Sequence, residues 1–173
     1  EQTVIANVIV TPEAYDVDPT GQNDSTQGIQ KAIDDCRKKG GGTVFLPVGQ
    51  YLVSRTIQIG EGVLLQGDWQ DPDLTSSPEY GTVILAKIAP LEGTNVFDPS
   101  ANPLFRLNTE NASNNGLCGL TVYYPDQDIH NVKPYGYTVY ATNPRMTVLR
   151  NLTFINAYQG IGASLNGIGH ELL

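Results

Sequence analysis

The stretch Tyr123–Tyr137, "YYPDQDIHNVKPYGY", gathers the side chains best suited to chemistry in this chain. Asp126 and Asp128 are separated by one residue, and His130 and Lys133 follow closely. The set has three readings. The carboxylates and the imidazole could work as acid and base on a glycosidic bond. The carboxylates could bind Ca²⁺. Or the stretch is a solvated loop whose tyrosines pack on the body of the protein, since no motif fixes its acids. Tyr123, Tyr124 and Tyr135 also offer flat apolar faces with polar tips, a platform on which sugar rings stack.

A second acidic stretch, "GDWQDPDLTSSPEYG" (Gly67–Gly81), carries Asp68, Asp71, Asp73, Glu79 and the single tryptophan, Trp69. Its length suits an insertion projecting from an edge of the fold. Trp69 is either a substrate-stacking ring or, as we favour, the packing anchor of that loop. His170, Arg145 and Arg150 stand in no chemical pattern and are assigned structural roles.

The elements that must hold these loops begin with a helix. In "NDSTQGIQKAIDDCRKKGGG", Ile29, Ala32, Ile33 and Cys36 recur at the spacing of one buried helical face. Asp24 with Gln27 resembles a capping box, cations fill the last turn, and Gly40 supplies a left-handed stop. The pattern predicts a helix over about 25–39. After Gly42 the period changes to short β-branched and aromatic runs cut by Gly, Pro, Asn and Asp: "TVFLP", "QYLVS", "TIQIG", "VLLQG", "TVILAKI", "LFRLN", "LTVYYP", "YTVYA", "MTVLRNLTFIN" and "GIGASL". The class is all-β.

Internal echoes narrow the architecture. "CGLTVYYP" (Cys118–Pro125) repeats the pattern of "RNLTFINA" (Arg150–Ala157). Setting Glu171 on Leu149 gives a step of 22 residues (171 − 149), the length of one solenoid coil. A sandwich with hairpins at Asn115-Gly116 and Asn166-Gly167 is the alternative.

The segment Ala14–Asp68 resembles the opening of the pectate-lyase-like, right-handed parallel β-helix superfamily. The family pattern runs D-Y-G-A, then D-[ST]-T-x-x-I-Q-x-A-I, then G-G-G-x-V-x-x-P-x-G-x-Y. Here the helix portion is Asp24, Ser25, Thr26, Ile29, Gln30, Ala32 and Ile33; the strand portion is Gly40, Gly41, Gly42, Val44, Pro47, Gly49 and Tyr51. Ala14 and Asp16 stand where the family has Asp and Gly. The resemblance implies one domain over 1–173, the N-terminal part of a right-handed parallel β-helix. Its capping α-helix spans 25–39 and its coils begin near residue 43. The cap has a physical reason: an open first coil exposes unpaired backbone and an apolar interior, and an amphipathic helix laid across it covers both.

The chain stops at "GIGHELL", where Leu172 and Leu173 look like the start of another strand. Because a solenoid needs a cap at each end, the expectation is a longer polypeptide continuing beyond Leu173. Polygalacturonase-type members carry Asn-x-Asp, Asp-Asp, Gly-His-Gly and Arg-x-Lys motifs on central coils. The Asp-Asp pair here, Asp34-Asp35, and the Arg-x-Lys match, Arg37-Lys38-Lys39, both lie on the capping helix, and Gly-His-Gly is absent. The resemblance implies that the catalytic residues, if any, lie in coils beyond Leu173, and this piece alone is expected to be inactive. The resemblance implies a secreted, cell-wall-directed glycoside hydrolase acting on a polysaccharide. A polysaccharide lyase or uronate epimerase is the alternative, and a non-catalytic tailspike or adhesin a third. No cofactor is implied, except Ca²⁺ if the protein is a lyase.

Composition agrees with a carbohydrate partner. A net charge of −8 disfavours nucleic acid and anionic membranes, and no apolar run reaches transmembrane length. Asn23, Asn111 and Asn151 sit in glycosylation sequons. The two cysteines are expected to stay unpaired. Cys36 belongs to the cap and Cys118 to a coil at least about 10 Å further along the stack, beyond the roughly 7 Å Cα separation of a disulfide.

Overall fold

A computed structural model of the chain describes residues 5–71, 73, 80–108, 114–142 and 146–164. Arg145, His170, Glu79, Asn111, Asn166-Gly167 and the segment ending at Leu173 lie outside these. Successive short runs form coils. The first contains β1 (Val8–Ile9), α1 (Pro12–Tyr15), β2 (Thr20–Asp24) and α2 (Thr26–Lys38). The second contains β3 (Gly42–Leu46), β4 (Gly49–Val53) and β5 (Ile57–Ile59). The third contains β6 (Val63–Gly67), β7 (Thr82–Ala86) and β8 (Phe105–Asn108), with a 3₁₀ turn at Gly93–Phe97. The fourth and fifth are β9 (Gly116–Tyr123) with β10 (Tyr137–Thr142), and β11 (Val148–Ile155) with β12 (Gln159–Ser164).

Every pairing between these strands is parallel. Three rows of inward residues define three walls. Val44, Leu65, Leu117 and Leu149 stack on the first, and Tyr51, Ile84, Val122 and Phe154 on the second. Ile57, Phe105, Val139 and Ile161 stack on the third. The first two walls merge at β9 and β11, which run through the corner at Gly119 (φ 67°) and Asn151 (φ 53°). Both take the left-handed conformation that such a corner requires. This is a right-handed parallel β-helix, the hand that parallel crossovers adopt. The sandwich is excluded for the described residues. Asn115 is buried and donates to the Ile59 carbonyl rather than turning a hairpin.

The predicted repeat is the structural register: Leu120 pairs with Leu152 and Thr121 with Thr153. A step of 22 residues recurs between Val139 and Ile161 (161 − 139). The third coil is longer because the loops after β6 and β7 interrupt it, which hides the period in the sequence.

Helix α2 covers the open end. Ile29, Ala32, Ile33 and Cys36 are fully buried, and the helix packs on β1, β3, β5 and β6. Its C-terminus is a Schellman motif. Gly41 N–H bonds the Cys36 carbonyl at 3.0 Å, Gly40 N–H the Arg37 carbonyl at 3.0 Å, and Gly40 has φ 99°. Its N-terminus corrects the capping-box expectation. Ser25 occupies the cap position, while Asp24 ends β2 and accepts from the Thr26 N–H at 2.9 Å and the Thr26 hydroxyl at 2.5 Å. The β2 pairing sets this choice, because it holds Asp24 extended. Asp16, at the family's glycine position, has φ 52° and ends α1 as that glycine would.

Both cysteines are free and buried. Cys36 lies under the cap, where burial pushes its thiol pKa up.

Candidate functional site

The loop singled out by its acids lies between β9 and β10, on the wall formed by β4, β7 and the second half of β9. Alternation along β7 buries Ala86 and turns Leu85 and Lys87 outward. Leu85 pairs with Tyr123 at the end of β9, so Lys87 and Tyr123 share the outer face. The Lys87 ammonium meets the Asp126 carboxylate at 2.7 Å, and both side chains remain partly open to water. The sequence reading named Asp126 and missed Lys87. No motif marks a lysine that follows "TVILA"; only the register of the coils brings it to Asp126.

The tyrosines divide. Tyr123 is half-buried and available. Tyr124 is 1% and Tyr135 3% exposed, their ring centroids 5.0 Å apart, and neither can serve as a sugar-stacking platform. Tyr124 turns inward because it continues the alternation of β9, and its hydroxyl meets the Thr138 hydroxyl at 3.1 Å. Burial pushes its phenol up to about 12. Burial likewise raises Tyr135, and the Asp126 charge adds to the shift. These two rings are the foundation of the site, and Tyr123 alone of the proposed platform reaches its surface.

The loop is internally bonded. Asp128 Oδ1 accepts the His130 N–H at 2.8 Å, and Asp128 is bridged to Asn131. Asp128 is thereby a turn former, and His130 is exposed. Asp126 and Asp128 therefore do different work: one faces a cation, the other shapes the chain. Among the described residues no group of three or more His, Cys, Asp or Glu side chains is placed to hold a metal ion.

Trp69 sits elsewhere, at the corner between the first and second walls. A Cβ added at Gly119 would lie 3.1 Å from Trp69 Cβ, so the two coils approach closely at this corner, and Trp69 is half-buried. Thr82 closes the base of its loop, accepting the Asp68 N–H at 2.8 Å and donating to the Leu46 carbonyl at 2.9 Å. Arg150 is exposed, and a hydrogen bond to the Cys118 side chain raises its pKa.

Comparison with known proteins gives this geometry a context. Residues 10–106 match the family described as "Rhamnogalacturonase A/epimerase, pectate lyase-like". Among curated proteins, alginate lyase 7 of Azotobacter vinelandii is 49% identical over 45 residues, 26% of this chain and 5% of that protein. Mannuronan C5-epimerase AlgE1 of the same organism is 40% identical over 67 residues, 36% of this chain and 5% of that one. The chain thus spans only a small part of the curated relatives it matches. Among solved structures, the A-module of the A. vinelandii mannuronan C-5 epimerase AlgE4 superposes with a TM-score of 0.65 at 22% identity, covering 91% of this chain and 41% of that one. ORF18 of Geobacillus virus E2 superposes with a TM-score of 0.58 at 18% identity, covering 84% and 25%. These structural likenesses establish the β-helix and nothing finer.

Proposed function

Because the chain belongs to the rhamnogalacturonase A/epimerase, pectate lyase-like family, we propose that it is the N-terminal portion of a secreted enzyme acting on an acidic polysaccharide. The reaction class we assign begins by removing the proton at C5 of a uronate. The names of the curated relatives, a mannuronan epimerase and an alginate lyase, support this direction over glycosidic hydrolysis. The observation that carries it is the Lys87–Asp126 pair on the open outer face, beside Tyr123.

The chemistry asks for such a pair. A C5 proton lies next to a carboxylate, so its removal places a second negative charge on the carboxyl group. A cation at that group lowers the barrier. Lys87 is placed to share its charge between Asp126 and a substrate carboxylate. The base takes the proton and the electron pair moves onto the carboxyl oxygens. In epimerisation a different acid returns a proton to the opposite face of the carbon. In elimination the pair returns to form the C4–C5 double bond, the C4–O bond breaks, and the leaving oxygen is protonated. Tyr123, Asp126 and His130 are the groups of this loop able to exchange protons there. Neither route requires a reagent beyond substrate and side chains.

The full-length protein should be incubated with mannuronan, polygalacturonate and a neutral glucan in deuterium oxide. Deuterium entering C5, or unsaturated ends, should appear on a uronate polymer and not on the glucan. Lys87→Met should lower kcat/KM by about 100-fold or more. New reducing ends on the neutral glucan, without unsaturation, would show a hydrolase instead.

A further inference from the structure

Resting on that reading, we propose that Gln127 is a positioning residue, holding Asp126 against Lys87 by clamping the loop at its base. The Gln127 side chain bonds both backbone groups of one residue. Its carbonyl accepts the Lys133 N–H at 2.8 Å, and its amide donates to the Lys133 carbonyl at 3.0 Å. The backbone on either side of Asp126 is fixed as well. Tyr124 N–H bonds the Ile155 carbonyl in the next coil at 3.1 Å, and Gln127 N–H returns to the Tyr124 carbonyl at 3.3 Å.

The clamp also reaches the buried rings. Lys133 accepts the Tyr135 N–H at 3.0 Å, and Tyr135 packs on Tyr124. One residue on, the Pro134 carbonyl takes the Leu91 N–H at 2.8 Å, tying the loop to the segment that follows Lys87. Both members of the ion pair are thus anchored to one short stretch of backbone.

Nothing apolar does this job at the tip. Ile129 is 82% and Val132 55% exposed, so the tip buries no apolar surface that would hold its shape. Hydrogen bonds carry the conformation, and the Gln127 pair spans the loop between Asp126 and Lys133. Its loss should let Asp126 drift while the coils beneath remain intact.

The test uses the full-length chain with Gln127→Leu, which keeps the bulk and removes both bonds, and Gln127→Glu, which keeps the acceptor. Lys133 amide exchange should accelerate about tenfold in the Leu variant. On a uronate polymer kcat should fall about tenfold, with KM within about twofold. The melting temperature should stay within about 2 °C of the parent. The Glu variant should recover part of both losses. Unchanged Lys133 exchange in the Leu variant overturns the clamp. Faster exchange with parental turnover, in a protein that Lys87→Met inactivates, overturns the positioning role while leaving the site intact. If Lys87→Met itself leaves turnover unaltered, the site reading fails first and the positioning role falls with it; exchange still reports whether the clamp exists.

Discussion

Two glutamines in this molecule make the same pair of bonds and do different work. Gln30, on the capping helix, accepts the Gln58 N–H at 2.8 Å and donates to the Gln58 carbonyl at 3.1 Å. Gln127 makes the corresponding pair with Lys133. In each case a side-chain amide stands in for a neighbouring strand, satisfying a backbone donor and acceptor together. The surroundings differ. Gln30 reaches across the stack from a helix whose apolar face is fully buried, whereas Gln127 acts within its own loop, beneath an exposed tip. At the cap the amide completes a surface that burial already fixes. At the loop it must itself maintain the geometry. The cap is therefore expected to contribute mainly to folding, and the loop mainly to function.

The largest effect should come from docking the cap. A Cβ at Gly28 would lie 2.1 Å from the Tyr15 carbonyl oxygen and 2.6 Å from Val17 Cγ1. In a free helix Ala is better than Gly by about 1 kcal/mol. Here the clash is with backbone at the end of α1, which cannot move without lifting the helix. Gly28→Ala should cost about 3 kcal/mol or more in urea unfolding. A variant as stable as the parent would show that α2 is not seated on α1, and the contrast between cap and loop would collapse.

The two glutamines give the direct test. Gln30→Leu removes both bonds to Gln58 and should cost about 1–2 kcal/mol of stability. Gln127→Leu should cost less than about 0.5 kcal/mol, because the loop can open without unfolding the coils. Equal losses in thermal or urea unfolding would mean that both amides serve the same cooperative unit.

The same contrast explains what was legible in the sequence. The buried stripe Ile29, Ala32, Ile33 and Cys36, and the paired Leu-Thr steps at Leu120 and Leu152, are periodic. Periodicity survives in a one-dimensional string, and from it the cap and the parallel stack could be read. The site is aperiodic. Asp126 could be named as a candidate by type, but its partner Lys87 lies a coil away behind a strand tail. Tyr124 turns inward just past the end of β9 and Tyr135 just before β10, so two of the supposed platform residues are core. Asp24 was misplaced for a related reason: local capping chemistry was legible, but its competition with β2 pairing was not.

The smallest effect is a matter of pH, and it should again separate the two ends. Asp18 accepts four hydrogen bonds, from the Thr20 N–H at 2.8 Å, the Thr20 hydroxyl at 2.6 Å, and the Asn23 N–H and side-chain amide at 2.8 Å each. The Thr20 bonds foremost hold its carboxyl well below the usual carboxylate range. At Asp24 burial pushes upward, but the bonds from Ser54 and Thr26 outweigh it and the pKa is lowered. A folded pKa below the unfolded value of 3.8 means that the charged form favours folding. That contribution is complete above the unfolded value and drains away as pH falls through the folded one. Because Asp18 N–H also bonds the Ser25 hydroxyl at 2.9 Å, protonation loosens the entry to the capping helix. Asp18→Asn should be less stable than the parent at pH 7, and the difference should shrink steadily from about pH 5 to about pH 2. Amide exchange in α2 should rise over that interval, while the Gln127–Lys133 clamp, built from uncharged groups, should not follow it. Parallel stability curves for parent and variant down to about pH 2 would place the acid response elsewhere, and with it the claim that the cap end carries its own electrostatic lock.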